Sequence, residues 1–232
     1  MIPWSLLDTA KLPGGGGELR LLRRGAEFSI RLGANELMNS RLSGSEEALA
    51  AIPCARIRDR PAPRVLIGGL GMGFTLRAAL AHLGDEARIV VAELVPAVVD
   101  WARGPMARIF ANSLSDGRLS LREGDVARLI RSARSAYDAI LLDVDNGPEG
   151  LTRKSNDALY GGKGLAAARM ALRPAGILAV WSSAPNGSFT LRLRRAGFAV
   201  EEIPVRANGA GGGARHVIWV ATSGAPSTAG GR

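Results

Sequence analysis

From Arg64 onward, short apolar runs alternate with stretches whose apolar residues recur at every third or fourth position. Val65-Leu66-Ile67, Ile89-Val90-Val91-Ala92, Leu119–Arg122, Tyr137–Leu142 and Gly176–Trp181 read as buried strands, bounded by Gly, Pro or acidic residues. Between them the helical period predicts helices at the start of Phe74–Leu80, then over Pro96–Arg103, Val126–Ser132, Gly164–Leu172 (stopped by Pro174) and Ser188–Ala196. Val200–Val205 and His216–Ala221 read as two final strands joined through the Gly-rich residues 208–213. Strand and helix in alternation predict an α/β fold, a Rossmann-like, mostly parallel seven-stranded sheet with helices on both faces.

The first sixty residues pattern differently. Leu19–Arg24 and Glu27–Leu32, separated by Gly25-Ala26, predict a β-hairpin, with Glu36–Ser40 as a third short segment. Ser45 followed by Glu46 and Glu47 predicts a short helix that Pro53 ends, and residues 54–63 read as a connector. Pro13 and the glycines that follow it mark residues 1–18 as a flexible leader. The resulting organisation is a leader (1–18), a small hairpin-and-helix appendage (19–60), the Rossmann-like domain (61–222) and a disordered tail (223–232).

Candidate chemistry sits where that pattern breaks. After the strand ending at Ile67 come Gly68-Gly69-Leu70-Gly71-Met72-Gly73, then a helix. Glycine accepts positive φ and lets backbone approach a ligand. About 20 residues beyond Gly73, Glu93 closes the next apolar strand, the spacing at which an acid meets ribose hydroxyls. The frame Gly69-x-Gly71-x-Gly73 departs from the dinucleotide G-x-G-x-x-G and resembles the first motif of S-adenosylmethionine-dependent transferases. In an open parallel sheet, ligands bind beyond the carboxyl ends of the strands. Asp125 also stands there, placed to accept from an adenine amino group beside the apolar Leu94 and Val126, or to cap the following helix. Asp143-Val144-Asp145-Asn146-Gly147-Pro148 ends the most apolar strand, and its crowded carboxylates raise one pKa.

Composition narrows this picture. The chain has 232 residues, a formal charge of +9 and one cysteine, Cys54, so no intrachain disulfide forms. Two histidines cannot supply a metal cluster, and no structural metal is expected. No apolar run reaches the ~18 residues of a membrane span, and the pattern reads as cytoplasmic. The excess charge is almost entirely arginine, spread along the chain without interleaved aromatics, which argues against a nucleic-acid partner. A homodimer is left open.

From about Leu19 to Ala221 the chain resembles the spermidine synthase family of aminopropyltransferases, built on the class I methyltransferase fold. The resemblance rests on the hairpins, Val65–Gly73, Val91–Pro96, Gly124-Asp125, Tyr137–Asp143, Leu172–Gly176 and the last strands. It implies ribose binding by Glu93, adenine binding by Asp125 and catalysis by Asp143. The family's glycine-loop aspartate is absent here, its second acid after the ribose glutamate is Val95, and of its acidic cluster near Arg41–Glu47 only Glu47 is matched.

The expectation is a transferase using S-adenosylmethionine, or its decarboxylated form, on a small-molecule acceptor. Gly69, Gly71, Gly73, Glu93, Leu94, Asp125 and Val126 would hold the nucleoside. Asp143 would orient or deprotonate the acceptor, with Asp145, Asn146 and Tyr160 beside it and Trp181 as a further aromatic wall. A loop without an acid tolerates the carboxylate of intact S-adenosylmethionine, so this reading leans to methyl transfer over aminopropyl transfer. A non-catalytic nucleoside-binding protein is the reading from another class.

Overall fold

The computed structural model describes residues 2–144, 159–209 and 212–224. Two sheets are present among them: a four-stranded antiparallel sheet in the order β1-β2-β3-β4 and a seven-stranded sheet in the order β10-β11-β9-β8-β5-β6-β7. The small sheet comprises β1 (Ser5–Lys11), β2 (Glu18–Arg24), β3 (Glu27–Leu32) and β4 (Asn35–Asn39). The large one comprises β5 (Arg64–Gly68), β6 (Arg88–Glu93), β7 (Leu119–Glu123), β8 (Tyr137–Leu142), β9 (Leu172–Ser182), β10 (Phe198–Arg206) and β11 (Arg215–Ser223). β7, β6, β5, β8 and β9 run parallel, and β11 is antiparallel to both β9 and β10. The chain moves outward one way from β5 through β6 and β7, then returns to β5's other side with β8, so strand order reverses between β5 and β8.

Seven helices are described: α1 (Gly44–Ile57), α2 (Phe74–His82), α3 (Pro96–Arg103), the short α4 (Ala107–Phe110), α5 (Val126–Ser132), α6 (Gly162–Ala171) and α7 (Gly187–Arg195). Alternate residues of each central strand serve opposite faces. Val65, Ile67, Ala139 and Leu141 join Leu49 and Ile57 of α1, Leu76 of α2 and Val99 of α3. Leu66, Ile140 and Leu142 join Ile130 of α5, Leu165 of α6 and Phe189 of α7. Burial on both faces explains why these strands read as continuous apolar runs.

Three expectations change. Residues 5–11 of the supposed leader form β1, paired with β2 and tied to α3 by a Trp101 Nε1–H donating to Asp8 Oδ2 at 2.6 Å. Their side chains are mostly exposed, so no apolar alternation announces the strand. Helix α1 continues through Pro53 to Ile57. Proline there leaves one carbonyl without its helical N–H partner, but burial of Leu49, Cys54 and Ile57 holds the helix together. β9 starts at Leu172, before Pro174, with an irregular excursion: Tyr137 faces Leu172 while Ala139 faces Ile177. Asp145, Asn146 and most of the tail fall outside the described residues.

Candidate nucleoside and acceptor site

The reversal of strand order opens a crevice between the ends of β5 and β8. Asp143 N–H donates to Gly68 O at 3.1 Å, continuing the ladder one residue past β8. Gly69 then turns away with φ of +87°, and a Cβ there would lie 2.7 Å from Asp143 O. Only glycine fits that close crossing without displacing backbone.

Around the crevice lies a cavity of about 160 Å³, lined by Gly69, Gly71, Glu93, Leu94, Val95, Gly124, Asp125, Val126, Asp143 and Val144. Leu12, Leu19, Ile30, Leu37 and Met38 of the N-terminal segment close it from above. The appendage is thus an apolar roof over the strand ends. A Cβ on Gly124 would meet nothing within 4 Å, so the cavity wall is cut back there to bare backbone.

Glu93 is 7% exposed. Its Oε2 accepts from Leu70 N–H and its Oε1 from Val95 N–H, each at 2.8 Å, so one carboxylate fixes the glycine loop and the start of α3 together. Burial raises its pKa against the opposing pull of those backbone N–H groups. Each oxygen keeps a lone pair for a ribose hydroxyl. Asp125 caps α5, its Oδ1 accepting from Ala127 N–H at 2.8 Å, and the residue also lines the cavity beside Val126.

Asp143 has its pKa pushed up to about 7, first by burial and then by the charge of Glu46, against a weak hydrogen bond from Thr75. Thr75 Oγ1 lies 3.3 Å from both Asp143 Oδ2 and the backbone oxygen of Glu46, joining α2, α1 and the end of β8. Glu46 is therefore the acid of the Arg41–Glu47 stretch that acts on Asp143, while Glu47 faces a separate groove. Behind Glu46, Ser45 Oγ–H donates to Oε2 at 2.6 Å, and His216 Nδ1 lies 3.0 Å from that same hydroxyl. The His216 ring meets Trp181 edge-on, with ring centres 4.8 Å apart. Sequence reasoning missed Thr75 and His216, and nothing local links either of them to Asp143.

Two predicted residues stand differently. Gly73 caps α2 and packs on Phe110, away from the cavity lining. Tyr160 is buried edge-on against Phe189, and its hydroxyl donates to Val144 O at 3.3 Å, so it supports the cavity wall from behind. A more open groove of about 670 Å³ runs between α1, α2 and residues 110–118. It is larger, but it lies off the strand ends, and its Arg77 and Arg118 donate to backbone carbonyls of Ile109, Leu80 and Leu83. The strand-end acids Glu93, Asp125 and Asp143 line the smaller cavity.

No family model matches the chain. Polyamine aminopropyltransferase 1 of Streptomyces coelicolor is 30% identical over 153 residues, covering 62% of this chain and 28% of that protein. The polyamine aminopropyltransferase of Mycobacterium tuberculosis is 30% identical over 145 residues, covering 59% of this chain and 27% of the other. The spermidine synthase of Thermotoga maritima superposes with a TM-score of 0.74 at 17% identity, over 95% of this chain and 73% of its own. The chain has the fold of the spermidine synthases.

A second solved spermidine synthase, in complex with the transition-state analogue AdoDATO, gives a TM-score of 0.72 at 17% identity, again over 95% of this chain and 73% of its own. The chain spans about a quarter of the length of the curated relatives named here. The lean towards methyl transfer finds no support among them, since both carry the aminopropyltransferase name.

Proposed function

We propose that the chain is an aminopropyltransferase that takes decarboxylated S-adenosylmethionine as donor and a small amine as acceptor. One observation carries this reading: Glu93, Asp125 and Asp143 line a single cavity, and none of its described lining residues is cationic. Intact S-adenosylmethionine brings a carboxylate that needs a cation or free N–H groups. The Leu70 N–H of the glycine loop is already donated to Glu93. A donor without that carboxylate brings only positive charge, which suits an acid-lined cavity. The loop argument that favoured the intact cofactor fails because the N–H groups it relied on are not all free.

The donor supplies an electrophilic carbon beside a sulfonium. Glu93 accepts from the ribose hydroxyls, and Asp125 accepts from the adenine amino group through Oδ2, since Oδ1 is used in capping. Leu94, Val95 and Val126 give the base apolar walls. On the acceptor side, Asp143 takes the proton that an ammonium must lose before its nitrogen can attack. The N–C bond then forms as the C–S bond breaks, its electron pair leaving on sulfur. Glu46 supplies a second negative charge beside Asp143, so an incoming ammonium is drawn in and held.

The test is methylthioadenosine release from the decarboxylated donor, with putrescine and a panel of primary amines. Turnover at roughly 1 per second or faster is expected for at least one amine. No release across the panel, or faster formation of S-adenosylhomocysteine from the intact cofactor, overturns the reading.

A further inference from the structure

The acid pair beside the cavity is not symmetric. Ser45 has one hydroxyl hydrogen, and it is committed to Glu46 Oε2 at 2.6 Å. Towards His216 Nδ1, 3.0 Å away, Ser45 Oγ can therefore only accept. That fixes the histidine as the Nδ1–H tautomer, and burial lowers its pKa, keeping the ring neutral near pH 7. The result is a one-way chain of donors: His216 Nδ1–H to Ser45 Oγ, then Ser45 Oγ–H to Glu46. Burial raises the Glu46 pKa, and the short bond from Ser45 opposes that rise by stabilising the charged form. Among the described residues, Asp143 receives only the 3.3 Å contact from Thr75.

We propose that Ser45 and His216 are positioning residues that keep Glu46 ionised, so that Asp143 is the member of the pair that holds the proton at rest, gives it up to solvent, and then accepts the proton of the acceptor ammonium. This rests on the aminopropyl-transfer reading for its purpose, but not for its geometry. Among the described residues, the charged and titratable groups around the pair are acidic: Glu47 on α1, Glu93 at the end of β6 and Asp125 before α5, with neutral His216 from β11. No lysine or arginine among the described residues lines the cavity to draw the proton off. Trp181 fixes the far side of the histidine ring, and its own Nε1–H is buried without a partner among the described residues. His216 Nε2 is left as an acceptor by the assigned tautomer. The chain therefore has a direction, and reversing it would need Ser45 to turn from Glu46.

Carboxyl-carbon NMR titration of the full chain, labelled at Asp and Glu, tests this without any substrate. In the unsubstituted protein Glu46 should report the lower step of the pair and Asp143 the upper one, near pH 7. In Ser45→Ala, Glu46 loses its donor and should take over the upper step, while the Asp143 midpoint falls by about 1 pH unit. His216→Phe should move both midpoints the same way by less, and His216→Asn, which can still donate to Ser45, should restore them. Where methylthioadenosine is released, the acidic limb of its pH–rate profile should fall by the same amount in Ser45→Ala. Midpoints that stay put in a folded Ser45→Ala protein overturn the proposal, as does a His216→Asn variant that behaves like His216→Phe. Midpoints that move as expected in a protein with no transferase activity would leave this chain standing and remove only the functional reading.

Discussion

Strand β8 carries a buried carboxylate near each end, and the two are treated in opposite ways. Asp138, at the amino end, is 2% exposed and accepts from Arg60 Nη1 at 2.9 Å, Arg173 Nη1 at 2.8 Å and the Arg64 backbone N–H at 2.8 Å. Asp143, just past the carboxyl end, has no cation among its contacts with the described residues and faces the charge of Glu46. Within one strand, then, the fold neutralises one acid and leaves the other poised to change its protonation state. The difference shows where stability is secured and where chemistry is kept available, since perturbed acids gather at functional sites. It also accounts for some of the excess arginine, part of which clamps the amino-end side of the sheet.

The sharpest way to break the comparison is Asp143→Asn. Methylthioadenosine release should fall by about 10²- to 10⁴-fold, the range for a lost general base, while melting temperature at pH 8 stays equal or rises. A variant that keeps its rate would remove Asp143 from catalysis. Asp138→Ala should do the reverse. Two guanidinium groups and a backbone N–H lose their acceptor, at a cost of about 2–4 kcal/mol in denaturant titration. That estimate sits at the lower side because Arg60 and Arg173 are 28% and 31% exposed. Activity per folded molecule should be kept, and its loss would place Asp138 in the site.

Glu93 is the intermediate case, a buried acid held by backbone N–H groups and by no cation. Glu93→Gln should weaken binding of methylthioadenosine by roughly 10- to 100-fold in calorimetry, the value of one or two hydrogen bonds to a charged group. Unchanged affinity would separate Glu93 from the ribose. The smallest effect is on stability against pH. Asp143 ionises at about 7 in the folded chain against an ordinary 3.8, so the folded form binds the extra proton between those values. Stability from this group is complete below pH 4 and is lost as pH rises towards 7. Asp143→Asn should flatten that part of a thermal-melting profile, whereas substituting Asp138 should not.

Much of the fold was legible because central strands such as β5 and β8 bury both faces and the glycines and acids lining the cavity fall at strand ends. Val65–Ile67 before the glycine loop, Glu93 at its spacing and Asp143 after Leu142 are local patterns, and the cavity gathers all three. β1 was not legible, because an edge strand exposed on both faces needs no alternation. The extent of α1 was missed because proline's local cost is outweighed by the apolar surface that Leu49 and Ile57 bury against the sheet.

The acid pair itself shows where sequence stops. Sequence alone determined that this chain makes a doubly covered parallel sheet with carboxylates at the ends of its strands, since hydrophobic period and turn chemistry act over a few residues. Only the tertiary structure decided that Glu46, and not Glu47, would face Asp143, because one helical step of about 100° separates those side chains. It alone brought His216 to Ser45 from 171 positions away, through an antiparallel strand whose place in the sheet depends on every element before it.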